Sequence, residues 1–278
     1  MPSEQPSLSN LGIIAGGGDF PILCAKEAQK KGIKVIVIAH KGETSKEIEN
    51  YADHIKWIYL GQLNKLIKNL KKHNVTHALF AGTITKKRIF FDVRPDTRAL
   101  LLWKSLKNRL DDNILRALAN ELEKEGIKII ASTTFLDDIV TKEGVLTKSK
   151  PNKDQIEDIK FGWKIAKEIG RLDIGQCIVV KDKTVIAVEA IEGTDATIKR
   201  VGSLGIKESI VVKICKPSQD TRFDLPATGP KTIKTMAQVN AKVLAIEANK
   251  SLMFNRDEMI NLANQYGISI IGIKEGGI

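Results

Sequence analysis

The sequence predicts an α/β protein, with a parallel, doubly wound sheet in its first half and a distinct mixed α/β domain in its second. Three observations lead there. Short apolar runs suited to buried strands alternate with helical patterns from Leu11 to Ala131, the order of repeated βαβ units. A glycine cluster follows the first of these runs directly, where a strand must turn into a helix. In the second half, two apolar runs are separated only by K-D-K-T, too short for a crossover helix, so they read as an antiparallel hairpin.

Each element follows in order. L-G-I-I-A (11–15) is the first strand, G-G-G-D-F-P the turn, and a helical pattern carrying Leu23, Ala25 and Ala28 runs to Lys31-Gly32. K-V-I-V-I-A (34–39) is the second strand, followed by the strand K-W-I-Y-L (56–60), the helix L-N-K-L-I-K-N-L-K-K (63–72) and the strand H-A-L-F-A-G (77–82). Helices are expected from Thr97 to Lys107 and from Asp112 to Lys124, the second closed by Gly126 and leading into the strand I-K-I-I-A (127–131). Periodicity lapses in the polar connector L-T-K-S-K-P-N-K (146–153), which sets the expected domains at residues 1–147 and 148–278. Beyond it come a helix from Asp154 to Ile169, the hairpin strands 177–180 and 185–188, a helix at 195–203 and a strand at 210–215. A final helix, strand, helix, strand series runs from Lys231 to Ile273.

Composition bounds the function. A chain of 278 residues suits two cores, and no window approaches the roughly 20 apolar residues of a membrane span. The start, M-P-S-E-Q-P-S-L-S-N, has neither the basic nor the apolar region of a signal peptide. Cys24, Cys177 and Cys215 lie far apart in apolar patterns, as buried thiols do. A soluble, cytoplasmic protein is expected. The formal net charge of +11 calls for an anionic partner, whether nucleic acid, a membrane surface or a polyanionic substrate. Nucleic acid fits worst: aromatic residues are 5% of the chain, are not interleaved with the basic clusters, and no recognised binding spacing is present.

Candidate site residues fall in both halves. Ala15 and the Gly16, Gly17, Gly18 cluster sit at the carboxyl end of the first strand and the mouth of a helix, where backbone amides suit a phosphate. Gly82 and Thr83 end a later strand on the same rim. A dinucleotide fingerprint would need glycine where Pro21 stands and an acid near Ala39-His40, so nicotinamide chemistry is not expected. The second half concentrates polar chemistry in G-R-L-D-I-G-Q (170–176), ending in Gln176, in E-A-I-E-G-T-D-A (189–196) and in K-P-S-Q-D-T-R-F-D-L-P (216–226). Thr194 and Asp195 suit the start of a helix, and Gly193 and Thr194 suit a phosphate; both readings stand. Lys216 and Arg222 are phosphate partners by charge, and Asp224 beside them is a candidate metal ligand or general base.

These segments together resemble the cytoplasmic, non-calcineurin-like UDP-2,3-diacylglucosamine pyrophosphatases of lipid A synthesis. I-A-G-G-G, E-K-E-G (123–126), E-I-G-R-L-D-I-G-Q (168–176), V-E-A-I-E-G-T-D-A (188–196) and K-P-x-Q-x-T-R-x-D-L-P (216–226) carry the resemblance, which covers nearly the whole chain. Thr83 departs from it, standing where the family tends to have Asn. The resemblance implies a Rossmann-like N-terminal domain, a distinct C-terminal α/β domain, a homodimer, and Mg2+-dependent hydrolysis to UMP and diacylglucosamine 1-phosphate. Asp224 would then be catalytic and a metal ligand, with Glu189 and Asp195 as further metal candidates. The substrate contacts would include Gln176, Gly193, Thr194, Lys216 and Arg222, with the Gly16–Gly18 loop approaching from the other domain. A lipid substrate and a basic surface imply peripheral contact with the anionic inner membrane. The rival reading is a nucleotide-sugar or phosphate-binding protein without catalysis.

Overall fold

The computed structural model describes residues 8–85, 93–106, 111–217, 219–223 and 225–274. The chain divides into two compact units, Met1–Asp137 with Asp220–Asp224, and Asp138–Gln219 with Leu225–Ile278.

The first unit runs β1 (Asn10–Ala15), α1 (Phe20–Lys30), β2 (Lys34–His40), a 3-10 turn at Lys46–Tyr51, β3 (His54–Ile58), α2 (Leu63–Lys72), β4 (His77–Ala81), α3 (Thr97–Ser105), α4 (Asp111–Lys124) and β5 (Lys128–Ile129). Its five strands lie in the order β3-β2-β1-β4-β5, every pairing parallel. That is the Rossmann-like doubly wound order, with the switch of winding between β1 and β4. β1, β2 and β4 are buried along almost their whole length, as strands covered on both faces must be. Turn chemistry sets the boundaries. One carboxylate, Asp96, caps two helices, accepting from Ala99 N in α3 (3.0 Å) and Asn64 N in α2 (2.7 Å). The third strand lies at 54–58 rather than 56–60, because Tyr59 N turns out of the ladder to Gln62 Oε1 at 3.1 Å. β5 is shorter than expected, since the Ala131 carbonyl closes a turn with Thr134 N at 3.0 Å.

The second unit contains β6 (Gly144–Val145), α5 (Lys153–Arg171), β7 (Cys177–Lys181), β8 (Thr184–Val188), α6 (Thr194–Ser203), β9 (Ile210–Lys213), β10 (Ala227–Thr228), α7 (Pro230–Gln238), β11 (Val243–Glu247), β12 (Leu252–Met253), α8 (Arg256–Tyr266) and β13 (Ser269–Ile273). Its main sheet has the order β6-β13-β11-β9-β7-β8. β9, β11 and β13 are parallel, while β6, β7 and β8 join antiparallel. The sheet is mixed, and apolar clusters cover its two faces, one around Val211, Leu244 and Ile270, the other around Ile178, Val212 and Ala245. An Asn152/Gln155 capping box opens α5.

The units part at Asp137/Asp138, ahead of the connector at 148, because Gly144 and Val145 pair with Gly272 and Ile271 of β13. The division is also not a single cut. Phe223 is buried in the core of the first unit, edge-on to Phe80 with ring centroids 5.6 Å apart. Arg222 in the same segment bonds Asp220 and, at 3.2 Å, Glu123 of α4.

Candidate active site

In the first unit the glycine cluster is stitched to the end of β4. Gly16 N donates to Ala81 O (2.8 Å), Gly17 N to Thr83 O (2.7 Å), and Thr83 N returns to Gly17 O (3.1 Å). The approach is close enough that a Cβ on Gly16 would lie 2.5 Å from the Thr83 carbonyl oxygen, and one on Gly82, whose φ is +86°, would collide with Gly17 O. Pro21, in the first turn of α1, packs where a Gly82 side chain would stand. The amides of Gly16 and Gly17 therefore serve the sheet edge, and Gly18, at φ +83° with open space around it, is the glycine of the three turned away from that stitching. Ala15 contributes its carbonyl inward, to His40 Nδ1 at 2.9 Å and Thr44 Oγ1 at 2.7 Å.

In the second unit the three polar segments converge on one sheet edge. Register places Cys177 beside Lys213, and Glu189 N donates to Cys177 O at 2.9 Å, so Glu189, Cys177 and Lys213 form a row across β8, β7 and β9. Glu189 and Lys213 are each only 6% exposed. Thr194 stands between their side chains: its hydroxyl donates to Glu189 Oε1 (2.8 Å) and accepts from Lys213 Nζ (3.0 Å). Lys213 also donates to Ala227 O at 2.7 Å. Gln176 N donates to Glu189 Oε2 at 3.3 Å, while the buried Gln176 Oε1 has no hydrogen-bond partner among the described residues. Gly175 is held so close to the Glu189 carbonyl that any side chain there would collide with it. Burial holds the Cys177 thiol well above its usual range, with the nearby Glu189 charge adding to the effect and Lys213 opposing it.

The remaining expected residues fall nearby or elsewhere. Lys216 Nζ pairs with Asp173 Oδ1 at 2.6 Å, joining the 216–226 segment to the 170–176 segment. Gly193 (φ +82°) takes the N-cap position expected of Thr194, whose hydroxyl is drawn to Glu189 instead. Asp195 accepts from Thr232 Oγ1 at 3.1 Å and pairs with Lys231 at 3.1 Å. Arg222 belongs to the first unit, its guanidinium set on Asp220 and Glu123. Asp224 lies outside the described residues.

Magnesium is usually held by one or two carboxylates together with substrate phosphates. Among the described residues, no group of three or more His, Cys, Asp or Glu side chains gathers to hold a metal ion. Glu189 is buried and engaged by Thr194 and Gln176, which suits a positioning carboxylate. Asp195 is 25% exposed, with its Oδ2 on a lysine that is 84% exposed, so its carboxylate is the better suited of the two to a hydrated cation.

Sequence reasoning missed Lys213, Glu247 and Lys167. The signal was present: Lys213 and Glu247 are the charged residues closing the apolar runs I-V-V-K and V-L-A-I-E, and charges inside buried strands are rarely incidental.

A Rossmann-like unit and a mixed-sheet unit, each with polar residues gathered at strand ends, define an α/β protein of the class that receives ligands at the carboxyl ends of its strands. The model of the LpxI N-terminal domain matches residues 10–139 and that of the LpxI C-terminal domain residues 142–271. The chain belongs to the LpxI family. It is 33% identical over 279 residues to the UDP-2,3-diacylglucosamine pyrophosphatase LpxI of Caulobacter vibrioides, with 96% of this chain and 98% of that protein covered. Among solved structures, precorrin-6A reductase CobK is similar at 10% identity with a TM-score of 0.33, over 96% of this chain and 88% of that one. Phosphoribosylglycinamide synthetase from Anaerococcus prevotii is similar at 15% identity with a TM-score of 0.27, over 70% of this chain and 35% of the synthetase. Likeness of that size carries no argument about function.

Proposed function

We propose that this protein hydrolyses the pyrophosphate bond of UDP-2,3-diacylglucosamine, giving UMP and 2,3-diacylglucosamine 1-phosphate in lipid A biosynthesis. The observation that carries the proposal is the end-to-end match to a relative named for that activity. The chemistry of the site agrees with it. Water adds to one phosphorus while the bridging P–O bond breaks, and the departing phosphate gathers charge that cationic donors must stabilise. Lys213 and Lys216 are such donors at one end of the sheet, and the Thr194 hydroxyl, accepting from Lys213 and donating to Glu189, holds the buried lysine in place. Glu189 orients Thr194 and the Gln176 backbone. Asp224 positions the attacking water, a cation, or both.

Mg2+, when bound, supplies charge neutralisation at the phosphate oxygens, and we place Asp224 and Asp195 as its carboxylates. Hydrolysis should then cease on chelation with EDTA and return with added Mg2+. The resemblance of motifs also supports a homodimer, a state sedimentation would report. A lipid substrate and a net charge of +11 support peripheral contact with the cytoplasmic face of the inner membrane. The test of function is UMP release from UDP-2,3-diacylglucosamine, run beside UDP-N-acetylglucosamine. Release from the diacylated substrate alone supports the proposal. Tight binding with no UMP would favour a nucleotide-sugar-binding protein instead.

A further inference from the structure

Glu247, at the carboxyl end of β11, is 1% exposed and has no place in the mechanism above. Lys167 of α5 donates to both its oxygens, at 2.9 and 2.8 Å, and packs over the Trp163 ring. The pair does more than neutralise itself. Glu247 Oε2 accepts from Cys215 N at 2.8 Å, and Lys167 Nζ donates to Cys215 O at 3.3 Å. Both polar groups of one backbone residue are thus gripped by one buried ion pair. The next residue is Lys216, whose own N–H donates to Gln219 Oε1 at 3.1 Å.

We propose that Glu247 and Lys167 are positioning residues that fix the backbone at Cys215 and thereby aim Lys216 at the substrate's pyrophosphate. The function of Lys216 in this statement rests on the pyrophosphatase reading. The physical case does not: β9 ends at Lys213, so the ladder no longer holds residue 215, and a turn leaving a sheet drifts unless something else holds it. A misplacement of about 1 Å at a reacting centre can cost on the order of a hundredfold in rate.

The test is the double variant Lys167→Met with Glu247→Leu. Replacing a buried ion pair by apolar residues of similar size commonly leaves stability unchanged or raised, whereas removing one partner strands a charge. The double variant should therefore stay folded, melting a few degrees lower because Cys215 N loses its acceptor, lose about 10- to 100-fold in kcat, and change KM little. Lys216→Met should cost far less in that background than in the wild type, since the two changes disable one device. Hydrogen exchange adds a readout that needs no activity: amides of the segment from Ile214 to Gln219 should lose protection in the double variant. Wild-type kcat in the folded double variant, losses that multiply with Lys216→Met, or unchanged exchange in that segment each overturn the proposal. An inactive wild-type protein would sink the pyrophosphatase reading instead, and the exchange result would still decide whether the pair holds the segment. If the double variant does not fold, Lys167→Met with Glu247→Gln, which keeps an acceptor for Cys215 N but removes the ion pair and the donor to Cys215 O, is measured in the same three ways; a smaller loss of kcat and partial loss of protection are expected, and wild-type values in both overturn the proposal.

Discussion

His40 stands at the carboxyl end of β2, where a dinucleotide-binding chain would carry an acid, and it is used internally. Its ring shares the Ala15 carbonyl with Thr44, and Thr44 Oγ1 in turn accepts from His40 N at 3.0 Å. Burial, the largest influence, holds its pKa below the ordinary 6.5 against the opposing pull of the Ala15 carbonyl and Glu43. The unfolded chain then binds a proton that the folded chain refuses. His40's neutral state therefore favours folding fully above about pH 6.5, and that contribution is lost as pH falls through the folded-state pKa. Urea unfolding should show stability falling between pH 7.5 and 5.5, with a shallower fall in His40→Gln; an equal slope in both would assign the effect to other groups. The cysteines read from sequence as buried thiols are buried, all three of them, and burial raises the Cys24 and Cys177 thiols well above their ordinary range.

At the scale of elements, the β7–β8 hairpin shows what spacing reveals and what it hides. The short K-D-K-T turn was sufficient to read two antiparallel strands. Its residues Asp182 and Lys183 both take positive φ, 49° and 53°, as in a type I′ turn, without the glycine that usually eases it. The compensation comes from Asp158 on α5, a buried carboxylate accepting from Asp182 N at 2.9 Å and Lys183 N at 2.7 Å. Nothing in the local sequence announces that partner, because it arrives from a helix packed on the sheet. Asp158→Ala should destabilise by about 1–3 kcal/mol, the net worth of hydrogen bonds accepted by a charged carboxylate, read from denaturant midpoints; a change under about 0.5 kcal/mol would mean the turn holds itself. The glycine segment gives the complementary lesson. Its place at the end of a strand was legible, but its partner was not, since Gly16 and Gly17 bond across to Ala81 and Thr83. Gly82→Ala forces both a strained φ and a collision with Gly17, and should cost about 1–3 kcal/mol, measurable as a lowered melting temperature.

At the scale of the molecule, the fold class and most elements were legible because strand burial and helix periodicity are written locally. The membership of residues 220–223 in the first unit was not, since Phe223 finds its place only against a core assembled from distant residues such as Ile14, Phe80 and Leu122. For the same reason Arg222 read as a phosphate partner by composition, while its observed partners are Asp220 and Glu123. The motifs located the polar edge of the second unit but not Lys213, whose role appears only when β9 is set beside β7. The excess positive charge belongs to this scale too. Each Lys or Arg near anionic lipid contributes about 1 kcal/mol, so a handful supports reversible adsorption to vesicles containing anionic phospholipid. That adsorption should fall steeply when salt is raised from low to several hundred millimolar, and salt-independent binding would assign it to something other than charge. No helix among the described residues is long and apolar enough to cross a membrane.

The proposed pyrophosphatase activity makes its strongest demand on Asp224, which stands in the sequence between Arg222 and Pro226, outside any apolar pattern. The most direct measurement is UMP release from UDP-2,3-diacylglucosamine by the wild-type protein and by Asp224→Ala, with a thermal melt and an assay of bound lipid on the same preparations. A positioned base or metal-holding carboxylate contributes about 10² to 10⁴ in rate, so Asp224→Ala should lose at least about a hundredfold in kcat, melt within a few degrees of wild type and still retain lipid. A folded Asp224→Ala protein releasing UMP within a few-fold of the wild-type rate would contradict the assignment.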